Sequence, residues 1–258
     1  AIENPAGRPV DLDAAAGVAW DTLPMSRYRL HPPMGIYPPA TLLESARGCS
    51  YPCDFCCLSG GVRYRSPAAV EAELVALQRR FGIREVHFVD PTFTLHRART
   101  LELVDRLRRL DLHWSCKTRV DHVDSALVAE MARSGCYLIA FGVESGDDAV
   151  LGAIQKRTQT QHALDAFEAC RRHRVRTTAY LMVGNPGEDD AAVLRTQRFV
   201  RSLRPDYVLY DVLQVDPINP LTRRRVAEGA VSWDDVERYY LTDEPTLLHD
   251  VTIAGHPM

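Results

Sequence analysis

The cysteine-rich stretch at residues 47–56 reads RGCSYPCDFC and contains three of the seven cysteines in the chain. These three, Cys49, Cys53 and Cys56, have the spacing Cys-x3-Cys-x2-Cys. Thiolate is a soft ligand, and thiolates this close together are typical of zinc sites or iron–sulfur clusters. The spacing therefore predicts a metal centre early in the chain.

The number of thiolates bears on which kind of centre this is. A closed zinc site takes four ligands, usually as two cysteine pairs or as cysteine and histidine pairs. The sequence supplies no second pair, because Cys116, Cys136 and Cys170 stand alone and far apart. Three thiolates on a four-iron cluster leave one iron open, and an open iron can hold a substrate. A zinc knuckle or a group of buried thiols is the alternative interpretation.

The trio, with the aromatic Phe55 directly before its last cysteine, resembles the signature of the radical S-adenosylmethionine superfamily. The resemblance implies that Cys49, Cys53 and Cys56 hold a [4Fe-4S] cluster whose open iron binds the amine and carboxylate of S-adenosylmethionine. It also implies that one electron, from a donor such as flavodoxin or ferredoxin, cleaves the cofactor and releases a 5′-deoxyadenosyl radical. Phe55 is then a candidate cofactor-binding residue.

Composition sets broad limits on the class of protein. A chain of 258 residues with 46% hydrophobic and 25% charged residues suits one α/β barrel domain or two smaller ones. The net charge of −3 gives no reason to expect nucleic acid as a partner, and no run of about 18 apolar residues predicts a membrane span. Seven cysteines without disulfide-scaffold spacing favour the reducing cytoplasm.

An alternation of strand and helix patterns begins at Thr41 and predicts six parallel strands joined by right-handed crossovers. The predicted strands cover residues 41–46, 85–90, 112–120, 137–143, 177–183 and 206–215, and the predicted helices cover 66–81, 101–110, 125–134, 147–156, 160–174 and 189–203. The resemblance implies that these form a partial (β/α)6, TIM-like barrel. An open doubly wound sheet is the alternative, but it would want a glycine-rich phosphate loop after the first strand, where this chain has cysteines.

Three segments are expected along the chain: an arm at 1–40, the barrel at 41–215 and a C-terminal extension at 216–258. Seven prolines disfavour helix in the arm. The arm resembles the bridge between a cobalamin-binding domain and the barrel in the cobalamin-dependent branch of the superfamily, and an arm that covers one barrel end is the alternative. In the extension, Trp233–Tyr240 predicts a short helix. We expect the chain to be part of a longer protein.

Polar residues follow the predicted strands at the end where such barrels carry their active sites. S-adenosylmethionine offers an ammonium group, ribose hydroxyls and a carboxylate to these residues. The carboxylates of Asp90 and Glu144 suit the ammonium and the hydroxyls, and Lys117 or Arg119 suits the carboxylate. The further candidate cofactor-binding residues at strand ends are Ser145 and Gly184.

Several runs near these strand ends resemble the cobalamin-dependent branch in particular. They are residues 90–93, 142–146 with Lys156 further on, and 184–188. The resemblance implies a cobalamin-dependent C-methyltransferase acting on a small molecule or a peptide. A cobalamin-assisted rearrangement or cyclisation is the nearest alternative. A non-catalytic domain that binds an iron–sulfur cluster or zinc is the alternative from another class.

Overall fold

The structure is a computed structural model that describes residues 10–15, 18–27, 29–58, 61–214 and 216–241. The strands are β1 (Ala40–Leu43), β2 (Ala46–Arg47), β3 (Arg63–Tyr64), β4 (Glu85–Phe88), β5 (His113–Arg119), β6 (Cys136–Glu144), β7 (Arg176–Val183) and β8 (Tyr207–Val212). The helices are α1 (Pro67–Phe81), α2 (Arg97–Arg108), α3 (Ser125–Arg133), α4 (Asp148–Ala153), α5 (Thr160–Arg172), α6 (Asp190–Leu203), α7 (Pro220–Ala227) and α8 (Trp233–Leu241).

Six of these strands form one parallel sheet in the order β1-β4-β5-β6-β7-β8. Each strand pairs with the next one of the set along the chain, so the sheet winds in one direction and has no point where the strand order reverses. It curls into a half-barrel with β1 and β8 at its edges. The predicted partial (β/α)6 barrel is therefore confirmed, and the doubly wound sheet is wrong.

The first helix shows how local sequence signals fix these elements. The hydroxyl of Ser66 accepts from the backbone N–H of Ala69 and caps α1, Pro67 occupies the first turn, and Gly82 ends the helix at φ 65°. Leu74 and Leu77 of this helix are buried in the core, as their spacing predicts. The first strand is shorter than predicted, because the chain leaves it after Leu43 and pairs again only in β2.

The two faces of the sheet differ in chemistry. Phe88, Trp114 and Phe141 point outward and join the helices in one buried apolar core. The alternate positions point to the inside of the half-barrel, where His87 and Lys117 lie. Because successive side chains in a strand point to opposite faces, the residues between those in the core point to the inside of the half-barrel.

The amino-terminal end of the sheet is closed by the proline-rich segment. Glu85, the fully buried first residue of β4, accepts hydrogen bonds from the N–H groups of Gly35 and Tyr37, each at 2.7 Å, and from the hydroxyl of Tyr137 at 2.6 Å. The ring of Tyr37 stacks on His113, with ring centres 3.7 Å apart. Burial and the bond to Glu85 raise the pKa of Tyr137, so this phenol keeps the proton that it donates.

Segments outside the barrel are described in part. The predicted helix at Trp233–Tyr240 is confirmed as α8, which ends at Leu241. Residues 1–9 of the predicted arm and 242–258 of the predicted extension lie outside the described residues, and the three segment boundaries stay a prediction. Within the described ranges, no helix combines the length and the apolar character that crossing a bilayer requires.

We expect Glu85→Ala to destabilise the fold, because it leaves three partly buried donors without their acceptor. At about 1–3 kcal/mol for an unsatisfied buried group, the free energy of unfolding should fall by about 3 kcal/mol or more. Urea unfolding measures this change. The control is Glu44→Ala, which removes a partly exposed ion pair with Arg47 and should cost less than about 1 kcal/mol. Equal losses in the two variants would contradict the role given to Glu85.

Candidate functional site

The three clustered cysteines lie between β2 and β3, in a segment described at residues 48–58 and 61, which we call the cysteine loop. Antiparallel pairing of β2 with β3 closes its base. Gly48 has φ 91°, and a Cβ there would lie 2.5 Å from the carbonyl oxygen of Gly61, so only glycine fits this close approach. Inside the loop the N–H of Cys49 donates to the carbonyl of Leu58 at 3.2 Å. The loop is thus held at both ends.

Asp54 anchors the middle of the cysteine loop to two other parts of the chain. Its N–H donates to the carbonyl of Ile154 at 3.1 Å, and its carbonyl accepts from the N–H of Leu221 at 2.9 Å. Its side chain forms an ion pair with Arg224 on α7. The neighbouring Phe55 packs against a small apolar cluster that contains Ile154 and Leu221. The segment after the barrel therefore helps to shape the loop.

The cysteine loop faces a cavity of about 220 Å³ at the carboxyl ends of the strands. The residues that line it come from the loop and from strands β5 to β7 and the segments beside them. They are Cys49, Tyr51, Cys53, Phe55, Cys56, Leu58, Pro91, Thr92, Lys117, Thr118, Arg119, Gly142, Glu144, Lys156 and Tyr180. The cysteines, Phe55, Lys117, Arg119 and Glu144, all predicted as site residues, thus meet in one place.

Arg119 is buried beside the cysteine loop and has most of its donors occupied. Asp121 accepts from its Nε and Nη2 at 2.9 and 3.0 Å, and the carbonyl of Lys156 accepts from Nη2 at 2.8 Å. Its Nη1 lies 3.7 Å from the Sγ of Cys53, and its guanidinium stacks on Tyr51 at 3.5 Å from the ring centre. These contacts hold one fixed positive charge against a cysteine sulfur.

A buried ion pair next to Arg119 forms another part of the cavity wall. The Nζ of Lys156 lies 2.6 Å from Oε1 of Glu144, and both side chains are almost fully buried. Glu144 has φ 65°, a left-handed conformation that is uncommon for this residue type, and the β6–β7 register shifts between Gly142 and Glu144. Such backbone irregularity is often found beside functional sites.

Gly142 makes room for this ion pair. A Cβ at that position would lie 2.6 Å from Oε1 of Glu144 and 2.8 Å from Nζ of Lys156. Real Cβ atoms do not come so close to another heavy atom, so any larger residue would displace one member of the pair. The positive end of Lys156 also lies over the ring of Phe55, 5.7 Å from its centre.

Three thiols on one loop are the ligand type that iron–sulfur clusters take, with each cysteine binding a different iron. Within the described residues, no three histidine, cysteine or acidic side chains are grouped closely enough to share one metal ion. Burial raises the pKa of the thiols of Cys53 and Cys56, so binding of metal must displace protons from them.

Three predicted site residues do not line the cavity. Asp90 is fully buried, and its two oxygens accept from the N–H and hydroxyl of Ser45 at 2.6 and 2.5 Å. The hydroxyl of Ser145 lies 3.1 Å from that of Thr196 on α6. Gly184 starts a turn in which its N–H donates to Glu188 at 2.7 Å. Each of these residues contacts protein around the site instead of the cavity itself.

Eight of the residues that line the cavity were not among the predicted site residues, and Lys156 and Tyr51 are the two of them that contact its charged groups. Lys156 follows α4, twelve positions after Glu144 in the chain. Its signal in the sequence is a lysine just after the apolar end of a helix, where a charge can be buried only with a partner. Tyr51 lies between the first two cysteines, stacks on Arg119 and forms a hydrogen bond with His122. Its position inside the cysteine motif is the sequence signal by which it can be found.

His87 lies inside the half-barrel, farther from the cysteine loop. Its Nδ1 is 2.9 Å from the hydroxyl of Ser115, its partner in the neighbouring strand. Burial and, to a smaller extent, the positive charge of Lys117 lower the pKa of His87 to about 4. The imidazole is therefore neutral at pH 7.

Residues 43–200 match the model of the Radical SAM superfamily, which covers more than half of the chain. The chain belongs to the radical S-adenosylmethionine superfamily. The matched residues include the cysteine loop, the ion pair of Glu144 with Lys156, and strands β4 to β7.

Individual relatives place the chain among enzymes named for methyl transfer and for ring closure. It is 28% identical over 257 residues to an uncharacterized methyltransferase (PH0819) of Pyrococcus horikoshii, covering 95% of this chain and 54% of that protein. It is 25% identical over 213 residues to an anaerobic magnesium-protoporphyrin IX monomethyl ester cyclase of Rubrivivax gelatinosus, covering 80% of this chain and 38% of that protein. The chain thus spans about half the length of these relatives, or less.

A solved structure confirms the fold. The radical S-adenosylmethionine methyltransferase TsrM of Kitasatospora setae, with cobalamin and a [4Fe-4S] cluster bound, superposes with a TM-score of 0.69 at 19% identity. The match covers 75% of this chain and 38% of the TsrM chain. At this level of identity it shows a shared radical S-adenosylmethionine barrel.

We expect Lys117→Met to raise the pKa of His87, because it removes a positive charge that opposes protonation of the ring. The pKa should stay below 6.5, since burial is the larger cause of its depression. The stability of the wild type should fall as the pH drops from about 6.5 towards 4. In this range His87 binds a proton in the unfolded chain but stays neutral in the folded protein. NMR of labelled histidine measures the titration. Arg79→Met, on the exposed face of α1, should leave it unchanged.

Proposed function

We propose that this chain is the catalytic barrel of a cobalamin-dependent radical S-adenosylmethionine enzyme that methylates a carbon atom of its substrate. The observation that carries the proposal is the cavity in which three cysteines of one loop face a fixed arginine and a buried ion pair of Lys156 with Glu144. A scaffold without turnover would have no need of buried charges gathered around the cysteines.

The donor set fits a [4Fe-4S] cluster with one open iron. Cys49, Cys53 and Cys56 would hold three irons and leave the fourth for the amine and carboxylate of S-adenosylmethionine. When bound and reduced, the cluster supplies the electron that generates the deoxyadenosyl radical. An electron donor such as flavodoxin or ferredoxin is part of this proposal.

Residues around the cysteine loop have separate tasks in this proposal. The carboxylate of Glu144 accepts hydrogen bonds from the cofactor's hydroxyl or ammonium groups while Lys156 holds it in position. Arg119, whose contacts with Asp121 fix it beside Cys53, stabilises negative charge on the sulfur. The ring of Phe55 provides an apolar wall that excludes water.

Asp90, Ser145 and Gly184 position the site without facing the cavity. The two hydrogen bonds that Asp90 accepts from Ser45 fix the chain just before the cysteine loop. Ser145 attaches the turn after Glu144 to α6, and Gly184 turns the chain after β7. Loss of any of them would move residues that line the cavity.

Support for cobalamin and for methyl transfer comes from the relatives. One curated relative is named a methyltransferase, and the TsrM structure contains cobalamin. The relationship to a cyclase over 80% of the chain favours a cobalamin-assisted ring closure as the second candidate. Both reactions begin with the same cluster and S-adenosylmethionine, and their products distinguish them.

The test of the proposed function starts with protein loaded with iron and sulfide under anaerobic conditions. We expect a four-iron electron paramagnetic resonance signal in the reduced state that changes when S-adenosylmethionine is added. With cobalamin and reductant present, we expect transfer of the methyl group of S-adenosylmethionine to the corrinoid, detected by mass spectrometry.

Neighbouring cysteines provide a matched control for this test. Cys56→Ala should lose the four-iron signal, whereas Cys57→Ala, at an exposed position one residue later, should keep it. Stoichiometric zinc in the wild type, or a signal indifferent to S-adenosylmethionine, would rule out the radical mechanism. Cofactor cleavage without methylation of cobalamin would favour the cyclase-like candidate.

We expect Gly142→Ala to weaken binding of S-adenosylmethionine, because the new methyl group displaces the carboxylate of Glu144 or the ammonium of Lys156. Loss of one hydrogen bond to a charged group corresponds to a loss in affinity of about tenfold or more. Titration calorimetry on cluster-loaded protein measures this affinity, and iron content shows that the cluster is intact.

Gly152→Ala is the matched control, because a Cβ at this position in α4 meets no atom within 4 Å. Its affinity for S-adenosylmethionine should equal that of the wild type. An unchanged affinity in Gly142→Ala would show that the ion pair is not part of the cofactor site.

A further inference from the structure

Lys117 is a charged group of the cavity that has no partner among the residues that the structure describes. Its side chain is partly buried on β5 and lines the cavity. Across the part of the chain that the structure describes, no acceptor lies within hydrogen-bond distance of its ammonium group and no carboxylate within 4.0 Å.

The other two cations of the cavity contrast with Lys117. Arg119 has Asp121 at 2.9 Å, and Lys156 has Glu144 at 2.6 Å. A positive charge taken partly out of water without a counter-ion loses solvation that nothing replaces. An anionic group of a bound ligand would supply the missing partner.

Lys117 lies deeper in the half-barrel than Arg119. Side chains on one face of a strand alternate, so Lys117 is one inward-facing position farther from the carboxyl end of β5 than Arg119. The Nη1 of Arg119 lies 3.7 Å from the Sγ of Cys53, whereas the charge of Lys117 acts on His87. This position points to a ligand below the cysteine loop.

Neutral polar groups flank Lys117 on the same face of the sheet. His87 and Ser115 form a hydrogen-bonded pair one inward-facing position below it. An uncharged imidazole and a hydroxyl can each donate a hydrogen bond to an anion without adding charge.

On the other side, Thr178 provides a second, independent sign of a ligand. Thr178 is 1% exposed, and its hydroxyl has no hydrogen-bond partner among the described residues. The register pairs Lys117 with Ala140, and Ala140 with Thr178, so the three lie in one row across β5, β6 and β7. The small Ala140 between them leaves space for a bound group.

We propose that Lys117, with His87 and Thr178 beside it, binds an anionic group of the substrate, either a carboxylate or a phosphate. The inference rests on the proposed function, because it assigns the ligand in the half-barrel to the substrate. The carboxylate of S-adenosylmethionine is the competing source of such an anion, and the experiment separates the two.

The test is calorimetric titration of the cluster-loaded protein with inorganic phosphate, in phosphate-free buffer, with and without saturating S-adenosylmethionine. We expect phosphate to bind in both conditions, since its site lies below that of the cofactor. Lys117→Met should weaken phosphate binding at least about tenfold, the scale of one charged hydrogen bond, and Lys117→Arg should recover most of it. Arg79→Met, which removes an equal charge from the surface of α1, should bind phosphate as the wild type does.

Affinity for S-adenosylmethionine is measured on the same variants and should be unchanged in Lys117→Met. Phosphate binding that is absent, or equal in wild type and Lys117→Met, would overturn the proposal. It would also be overturned if S-adenosylmethionine displaced phosphate and Lys117→Met weakened both ligands, because the lysine would then hold the cofactor. Failure of wild-type protein to bind S-adenosylmethionine would instead contradict the proposed function, whereas the dependence of phosphate binding on Lys117 is measured separately.

Discussion

The buried contact between Lys156 and Glu144 is the constraint on which the shape of the cavity depends. Two charges removed from water must pair with good geometry, or the fold loses several kcal/mol, about 3–5 for a broken pair. Three local features accompany this pair. Gly142 leaves room for it, the backbone of Glu144 is left-handed, and the register between β6 and β7 shifts at this point. The same contact places a cation over Phe55, and so connects the cysteine loop to the sheet.

The two ends of the half-barrel solve different physical problems. At the amino-terminal end, Glu85 satisfies two backbone N–H groups of the proline-rich segment. That end is closed and its polar groups are paired. At the carboxyl end, the cysteine thiols and Lys117 face open space. Stability and chemistry are thus separated along the strands, as expected for barrels of this kind.

The sequence predicted the positions along strands more reliably than those in the turns that follow them. Alternation within a strand decides which side chains point inward, and this is why Lys117, Arg119 and Glu144 all line one cavity. Asp90, Ser145 and Gly184 come after their strands end, where the chain turns and period-2 reasoning no longer applies. Their hydrogen bonds to Ser45, Thr196 and Glu188 depend on tertiary packing that no local pattern encodes.

Lys156 illustrates the same limit from the other direction. It belongs to no strand, and only the crossover through α4 brings it back to Glu144. The sequence reveals a lysine after an apolar helix end, but its partner becomes evident only when the sheet is assembled.

The distribution of charge inside the half-barrel is the basis for the depth that we propose for each ligand. Arg119 and Lys156 are paired with protein carboxylates near Cys53. Burial raises the pKa of the Cys53 thiol, and the positive charges of these two residues offset part of that rise. Lys117 has no such carboxylate among the described residues. Its positive charge lowers the pKa of the neutral His87. A cavity with its upper charges paired and its lower charge unpaired can hold a zwitterionic cofactor above and an anionic group below. This division follows from three strand positions on β5 and β6 and one lysine after α4, and it orders two ligands along the axis of the half-barrel.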